Sequence, residues 1–219
     1  MLTPDLGRLA EELGPSICRC SSDQCDISQN DPSLCRSLIQ LLAEGQPVSL
    51  DKLATVVDQP HTEVAAAVNQ SMDVELDEAG NIVGAGLSLR PTPHRIELEG
   101  RVVYAWCALD ALMYPPVLGH IVQVESPCAG TGIPVRVTVT PEGVEAVDPP
   151  DAIVSIVVPE ANMPVRHTFC DQVHFFSSPQ AADLWLAQHP GAVVLPVADA
   201  YALGRLLAAS AVSSSPESH

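Results

Sequence analysis

Short valine-rich segments that end at proline or glycine constrain the fold of this chain more than any other sequence feature. Between residues 120 and 159 four of them follow one another: HIVQVESP, PVRVTVT, GVEAV and AIVSIVVP. Their alternating or fully apolar patterns indicate half-buried or buried strands, and the Pro and Gly residues indicate turns between them. Short strands that are close in sequence pair through hairpins, so we expect a mostly antiparallel sheet.

Residues 93–212 predict an α+β catalytic core around this sheet. The segments HRIELEG and RVVYAW flank Gly100 and predict two more strands, and VRHTFCDQVHFF (165–176) predicts another. Helical patterns are found in CALDALMY, SPQAADLWLAQHP and ADAYALGRLLAAS. Strands therefore cluster while a few helices flank them, and residues 213–219 are expected to form a disordered tail.

The N-terminal part predicts a winged-helix-like subdomain of three helices over residues 33–92. Its second helical pattern is opened by Ser49 and its third by Pro60, and a hairpin with its turn at 79–81 follows. Residues 1–32 precede this subdomain as a short helix, LTPDLGRLAEEL, and a polar, cysteine-containing linker.

The charge of the chain argues against nucleic acid and membranes as partners. The net charge is −17, and Lys52 is the only lysine. Such a surface repels phosphate backbones and anionic lipid headgroups. Winged helices often bind DNA, but residues 33–90 carry three basic side chains against eight acidic ones, and the third helix has no Lys or Arg. A DNA-binding regulator is therefore a weaker alternative than a structural or lid subdomain.

The N-terminus and the apolar segments predict a cytoplasmic protein. MLTPDLGRLAEELGPS lacks the basic start and apolar run of a signal peptide. Apolar runs such as AIVSIVVP are far shorter than the roughly 18–20 residues that a membrane helix needs. The seven cysteines are then expected to be reduced, as working thiols or as small buried groups.

The stretch VVYAWCALDALMYPP (102–116) places Cys107 three residues before Asp110. A strand runs directly into the predicted helix, so Cys107 is expected in its first turn, where unpaired N–H groups and the helix dipole favour a thiolate. Residues i and i+3 share a helix face, so the thiol and the carboxyl point into one space. Because its neighbours, such as Trp106, are apolar, we expect Asp110 to keep its proton to higher pH, which makes it a candidate proton donor. A buried core thiol beside a helix-start carboxylate is the alternative interpretation.

Two further stretches contain cysteines with candidate roles. In HTFCDQVHFFSSP, His174 would face the same side of a strand as Cys170, which leaves a Cys–His nucleophile pair of a hydrolase open. An ordinary half-buried strand is the other interpretation of that stretch. In SPCAGTGIPVRV, Cys128 lies in a Gly-rich turn that enters a strand, and we interpret it as structural.

Taken together, YAWCALD, PCAGTGIPV and FCDQVHFF resemble the organomercurial (alkylmercury) lyases in order and spacing, over roughly residues 33–205. The resemblance implies mercury resistance and detoxification through cleavage of the carbon–mercury bond of R–Hg⁺, which gives the hydrocarbon R–H and Hg²⁺. It implies that Cys107 and Cys170 bind mercury, that Asp110 shuttles the proton to carbon and contacts the metal, and that Cys128 is structural. Thiolates suit this substrate because soft metal ions prefer soft sulfur ligands.

The resemblance also implies that no cofactor is bound, that low-molecular-weight thiols are needed for turnover, and that a mercuric reductase accepts the Hg²⁺. A non-catalytic protein that binds mercury or another soft metal, such as a sensor, carrier or sink, is the main alternative. Asp110 argues against this alternative, because a pure binder has no need of a carboxylic acid at that position.

Two features depart from the family pattern. Asp171 stands where some members have a second cysteine, directly after the one that matches Cys170. The chain also has an N-terminal cluster of four cysteines, which either captures mercury or is a set of exposed thiols in a linker. Its members are Cys18, Cys20, Cys25 and Cys35.

Overall fold

The structure, a computed structural model, describes residues 4–17, 32–71, 73–159 and 164–210. The helices in these ranges are α1 (Leu6–Ile17), α2 (Pro32–Ala43), α3 (Leu50–Val57), α4 (His61–Ser71), α5 (Ala108–Leu118), α6 (Val165–Thr168), α7 (Asp183–Gln188) and α8 (Val197–Ser210). The strands are β1 (Glu75–Leu76), β2 (Ile82–Ala85), β3 (Leu87–Ser88), β4 (His94–Leu98), β5 (Arg101–Ala105), β6 (Val122–Pro127), β7 (Pro134–Val139), β8 (Val144–Asp148), β9 (Ile153–Ile156), β10 (Phe175–Phe176) and β11 (Val193–Pro196). The predicted α+β fold is confirmed.

An eight-stranded sheet forms the framework, in the order β1-β2-β3-β5-β4-β6-β7-β8, with every neighbouring pair antiparallel. Leu87 on β3 lies opposite Ala105 on β5, so the strands of the N-terminal part continue directly into the sheet of the C-terminal part. A smaller antiparallel sheet has the order β10-β9-β11. The division of the chain at residues 32, 92 and 212 stays a prediction.

A helix cap, a helix-ending glycine and a hairpin turn in the N-terminal part occur where the sequence predicts them. The Ser49 hydroxyl accepts the Lys52 N–H at 3.1 Å and caps α3. Gly45 adopts φ 77°, the left-handed conformation that follows the end of α2. The Asp77 carboxylate accepts two backbone N–H groups of the predicted turn at 79–81, which fixes the β1–β2 hairpin. In contrast, α1 is shifted toward the C-terminus relative to the predicted segment LTPDLGRLAEEL: it begins at Leu6 and continues past residue 13 to Ile17.

Helix α5 lies in the core and packs against α2, α8 and β5. Leu109 and Leu112 are buried on it. Gly204 allows α8 to approach closely, because a methyl group there would lie 2.7 Å from the Met113 Cβ. Within the described ranges, no helix combines the length and the apolar character needed to cross a membrane.

The prediction of one strand over residues 165–176 is wrong. Val165–Thr168 form the short helix α6, Cys170–Gln172 form one turn of 3-10 helix, and strand pairing is confined to β10. Phe169, Cys170 and Val173 are all buried. This spacing fits a helical turn, whereas a strand buries every second residue on one face.

Candidate active site

Cys107 is the residue at which β5 passes into α5. Its backbone is extended, and its Sγ accepts the Asp110 N–H at 3.3 Å, so Cys107 is the N-cap of α5 rather than a first-turn residue. The N–H groups of its two chain neighbours donate to the carbonyls of Gly86 (2.8 Å) and Val173 (3.0 Å). The backbone on either side of Cys107 is therefore bonded to two separate segments, one at Gly86 between β2 and β3 and one at Val173 before β10.

The second thiol, Cys170, lies in the 3-10 turn that follows α6. Ser155 on β9 makes two hydrogen bonds to the backbone of this turn. Its hydroxyl donates to the Gln172 carbonyl and accepts the His174 N–H, both at 2.9 Å. Ser155 is fully buried, so these bonds fix the turn from inside the protein.

The fold brings the three predicted site residues together. The Asp110 Oδ2 atom lies 3.1 Å from the Cys107 Sγ and 3.8 Å from the Cys170 Sγ. One oxygen or sulfur atom from each residue lies within 4.8 Å of the others. Cys107, Cys170 and Asp110 are 0%, 4% and 8% exposed, so the cluster is shielded from water.

Burial governs protonation in this cluster. It raises the pKa of Asp110 to about 6, although hydrogen bonds from both thiols and from the Tyr114 hydroxyl favour the carboxylate. Burial likewise raises the pKa of Cys107 well above the usual thiol range. For Cys170, a hydrogen bond from Cys107 lowers the pKa, but burial and the charge of Asp110 outweigh it and the pKa is raised.

Near neutral pH both thiols therefore keep their protons, whereas Asp110 is largely ionised. The expectation that the helix N-terminus favours a Cys107 thiolate is not met, because the sulfur is completely buried. The result is an acceptor carboxylate that faces two donor thiols.

Arg166 lies beside the cluster and was not singled out from the sequence. Its guanidinium carbon is 4.6 Å from the centroid of the Trp106 ring. It pairs with Glu75, and its Nε lies 3.9 Å from the Asp171 carboxylate. Arg166 precedes Cys170 by four residues, which is a helical spacing. Residues four apart also share a face on a strand, so this spacing was a usable signal for Arg166 even under the predicted strand.

Cys128 stands apart from the cluster. Its Sγ accepts the Ser177 N–H at 3.2 Å, and the Ala129 N–H donates to the Phe175 carbonyl at 3.0 Å. Burial alone would raise the pKa of Cys128, but hydrogen bonds from Ser177 and Thr131 lower it to about 7. These contacts tie the Gly-rich turn to β10 and support the structural interpretation.

The alternative pair of Cys170 with His174 finds no support. His174 packs edge-on against Phe176 and Trp185. The described polar contacts of the Cys170 thiol are instead with Asp110 and Cys107.

The remaining candidates either border the cluster or fall outside the described residues. Asp171 accepts a contact from the exposed His167 at 3.1 Å. Cys35 is partly buried on α2. Cys18, Cys20 and Cys25 fall outside the described residues.

Comparison with known proteins assigns the chain to a family. The sequence model described as alkylmercury lyase matches residues 87–209, and the one described as helix-turn-helix domain of alkylmercury lyase matches residues 21–86. The alkylmercury lyase of Streptomyces lividans is 51% identical over 176 residues, which cover 80% of this chain and 82% of that protein. The chain belongs to the alkylmercury lyase family. The resemblance inferred from the three motifs is confirmed.

Other alkylmercury lyases agree with this assignment. The alkylmercury lyase of Pseudomonas putida is 44% identical over 172 residues, which cover 78% of this chain and 81% of that protein. The crystal structure of the mercury-bound form of MerB2 matches with a TM-score of 0.76 and 26% identity, over 94% of this chain and 98% of that one. The helix-turn-helix part and the lyase part of the family thus both occur in this chain.

Proposed function

We propose that Cys107, Cys170 and Asp110 carry out the carbon–mercury cleavage of this alkylmercury lyase. The observation that carries the proposal is that a single oxygen, Asp110 Oδ2, faces both thiols, at 3.1 Å and 3.8 Å. The substrate is an organomercurial cation, R–Hg⁺, and the products are the hydrocarbon R–H and Hg²⁺ on the enzyme.

In the first step, Cys107 loses its proton to Asp110 as its sulfur bonds to the mercury of R–Hg⁺. The pKa of Asp110, raised by burial to about 6, leaves it mostly ionised near pH 7 and able to take this proton. The thiolate that forms is captured at once by the soft metal ion, which offsets the cost of ionising a buried thiol.

In the second step, Cys170 bonds to the same mercury and its proton passes to solvent water. Two sulfur ligands push electron density toward the carbon. The electron pair of the carbon–mercury bond then takes the proton from Asp110, which forms R–H and restores the carboxylate. The atoms balance: one thiol proton ends in R–H, the other leaves, and Hg²⁺ remains between the two sulfurs.

We also propose that low-molecular-weight thiols remove the Hg²⁺ and pass it to a mercuric reductase. Both sulfurs that hold the product are buried, so exchange requires competing ligands of equal softness. Such thiols are abundant in the cytoplasm, where we place the reaction. The net charge of −17 supports the absence of a nucleic-acid partner.

Headspace gas chromatography of benzene, after the protein is mixed with phenylmercury and excess small thiol, tests this function. The wild type should release benzene over many turnovers, with a rate that falls below about pH 6 as Asp110 becomes protonated before it can accept a thiol proton. Cys107→Ser and Cys170→Ser should each abolish release. Asp110→Ala should bind mercury without release, whereas Asp151→Ala, at an exposed turn, should match the wild type.

The same assay distinguishes the alternative. Tight stoichiometric mercury uptake without benzene in the wild type would favour a non-catalytic mercury-binding protein. Unchanged benzene release by Asp110→Ala would overturn the assignment of the proton carrier.

A further inference from the structure

The segment that carries Cys170 is held by residues from the N-terminal part of the chain. The Val165 N–H donates to the Asp73 Oδ2 at 2.9 Å. The neighbouring Arg166 guanidinium pairs with the Glu75 carboxylate. The N-terminal end of the short helix α6 is thus bonded to the start of the β1–β2 hairpin.

Glu75 is itself fixed within the sheet. Its Oε2 accepts the Ser88 hydroxyl at 2.9 Å, and Ser88 is fully buried. Gly84, the strand partner of Glu75, leaves room for the carboxylate, because a methyl group on Gly84 would lie 2.6 Å from the same oxygen. The Glu75 side chain is only 20% exposed. A carboxylate anchored by a buried hydroxyl and seated over a glycine has little freedom to move.

Arg166 connects the Glu75 carboxylate to the active site. Its guanidinium is paired with Glu75 on one side and lies 4.6 Å from the Trp106 ring centroid on the other. Trp106 directly precedes Cys107, and Arg166 lies four residues before Cys170. A guanidinium that is both ion-paired and stacked is restrained in orientation, since its planar fork matches the carboxylate and its face matches the ring.

We propose that Glu75 is a positioning residue for the lyase reaction, which acts through Arg166 to keep α6 and the Cys170 turn seated beside Asp110 and Cys107. This inference rests on the proposed role of Cys170 as the second mercury ligand. Through Glu75, the helix-turn-helix part of the chain then contributes to the lyase reaction without binding DNA.

The test uses Glu75→Gln, which keeps the shape of the side chain but removes its charge. Benzene formation is measured in a single turnover with enzyme in excess over phenylmercury, and kcat and KM are measured at steady state. We expect kcat and the single-turnover rate to fall by about tenfold, because small displacements of a reacting group are costly. KM should change little, because the first ligand, Cys107, stays fixed by its cap bond to the Asp110 N–H and by the Trp106–Gly86 backbone bond, neither of which involves the Cys170 turn. Glu125→Gln, which breaks an exposed ion pair with Arg136 at 2.8 Å, is the matched control and should leave the rate unchanged.

A double-mutant cycle tests whether Glu75 acts through Arg166. In an Arg166→Gln background, Glu75→Gln should have no further effect on the rate, because residues that act as one unit are not additive. Rate losses that multiply would overturn the proposal. So would a Glu75→Gln protein with a lower melting temperature and the wild-type rate, since its role would then be structural alone.

Two additional variants complete the design. Glu75→Asp keeps the charge on a shorter stem, and it should lose less of the rate than Glu75→Gln or, if that variant fails to fold, than Arg166→Gln. An equal or larger loss would contradict the ion-pair role. Cys170→Ser is assayed in parallel. If it cleaves phenylmercury at the wild-type rate, the proposed function fails, irrespective of the result at Glu75.

Discussion

The sulfur of Cys107 contacts Asp110 at two points: it lies 3.1 Å from the carboxylate Oδ2 and accepts the backbone N–H at 3.3 Å. One atom therefore caps helix α5 and faces the group that is proposed to take its proton. Since the cap fixes the first turn of the helix, the thiol and the carboxyl keep their separation without help from distant residues. The local geometry of proton transfer is thus set by four consecutive residues.

Cys107→Ser should keep or gain stability while it loses cleavage. Serine is among the preferred N-cap residues, and a good cap contributes about 1 kcal/mol to helix stability. Its hydroxyl is a poor ligand for a soft metal, so benzene release should disappear. Urea denaturation and gas chromatography should therefore give opposite results for this variant. Cys170→Ser is the control: Cys170 caps no long helix, so this variant should lose cleavage without a gain in stability. A Cys107→Ser protein that is less stable than the wild type would contradict the N-cap role.

Asp110 should lower the stability of the protein at neutral pH. Burial raises its pKa to about 6 from 3.8, so the folded state binds the proton more tightly than the unfolded state does. The stability linked to this proton is fully present below about pH 4 and is lost as the pH rises through about 6, by a total of about 3 kcal/mol. Asp110→Asn removes the titration, so the variant should be more stable than the wild type at pH 7, with an advantage that fades toward pH 4.

Denaturant unfolding of Asp110→Asn and wild type at several pH values measures this effect. Asp151→Asn, at an exposed turn, is the control and should show no comparable pH dependence. A stability difference for Asp110→Asn that stays constant from pH 4 to pH 7 would show that Asp110 has an ordinary pKa in the folded protein.

Local chemistry made part of the site predictable from the sequence. Cys107 and Asp110 are three residues apart, so their side chains meet if a helix starts at Cys107. The sequence predicts such a helix. The Ser49 cap and the turn at 79–81 are equally local, and both are present. The convergence of Cys170 on this pair was expected from the family resemblance alone, because it depends on how two separate sheets pack.

Long-range contacts account for what the sequence did not reveal. The Glu75–Arg166 pair joins residues that are far apart in the chain, so no spacing pattern marks it. The error over residues 165–176 has a related cause: Ser155, on another strand, bonds the Gln172 carbonyl and the His174 N–H and stabilises a turn that the local pattern does not indicate. Tertiary contacts override local propensity in such short segments.

Cys128→Ala should destabilise the fold and leave the chemistry intact. The Cys128 sulfur accepts the Ser177 N–H at 3.2 Å, and its removal leaves a half-buried donor without this partner, at a cost of about 1–3 kcal/mol. Thermal unfolding should show the loss, while benzene release per folded molecule should match the wild type. Cys128→Ser, which retains an acceptor, should lose less stability. A Cys128→Ala protein of normal stability without activity would show that the structural interpretation is wrong.

Ser155→Ala should affect both stability and cleavage, since its hydroxyl makes two bonds to the Cys170 turn. Loss of both bonds at a fully buried position should cost about 1–3 kcal/mol. It should also slow single-turnover benzene release, because the Cys170 sulfur is no longer held near Asp110. Ser126→Ala is a matched control, as Ser126 is equally buried but bonds the His94 ring at 2.8 Å. It should lose comparable stability and keep the wild-type rate. Equal rates for the two variants would mean that the Cys170 turn keeps its position without Ser155.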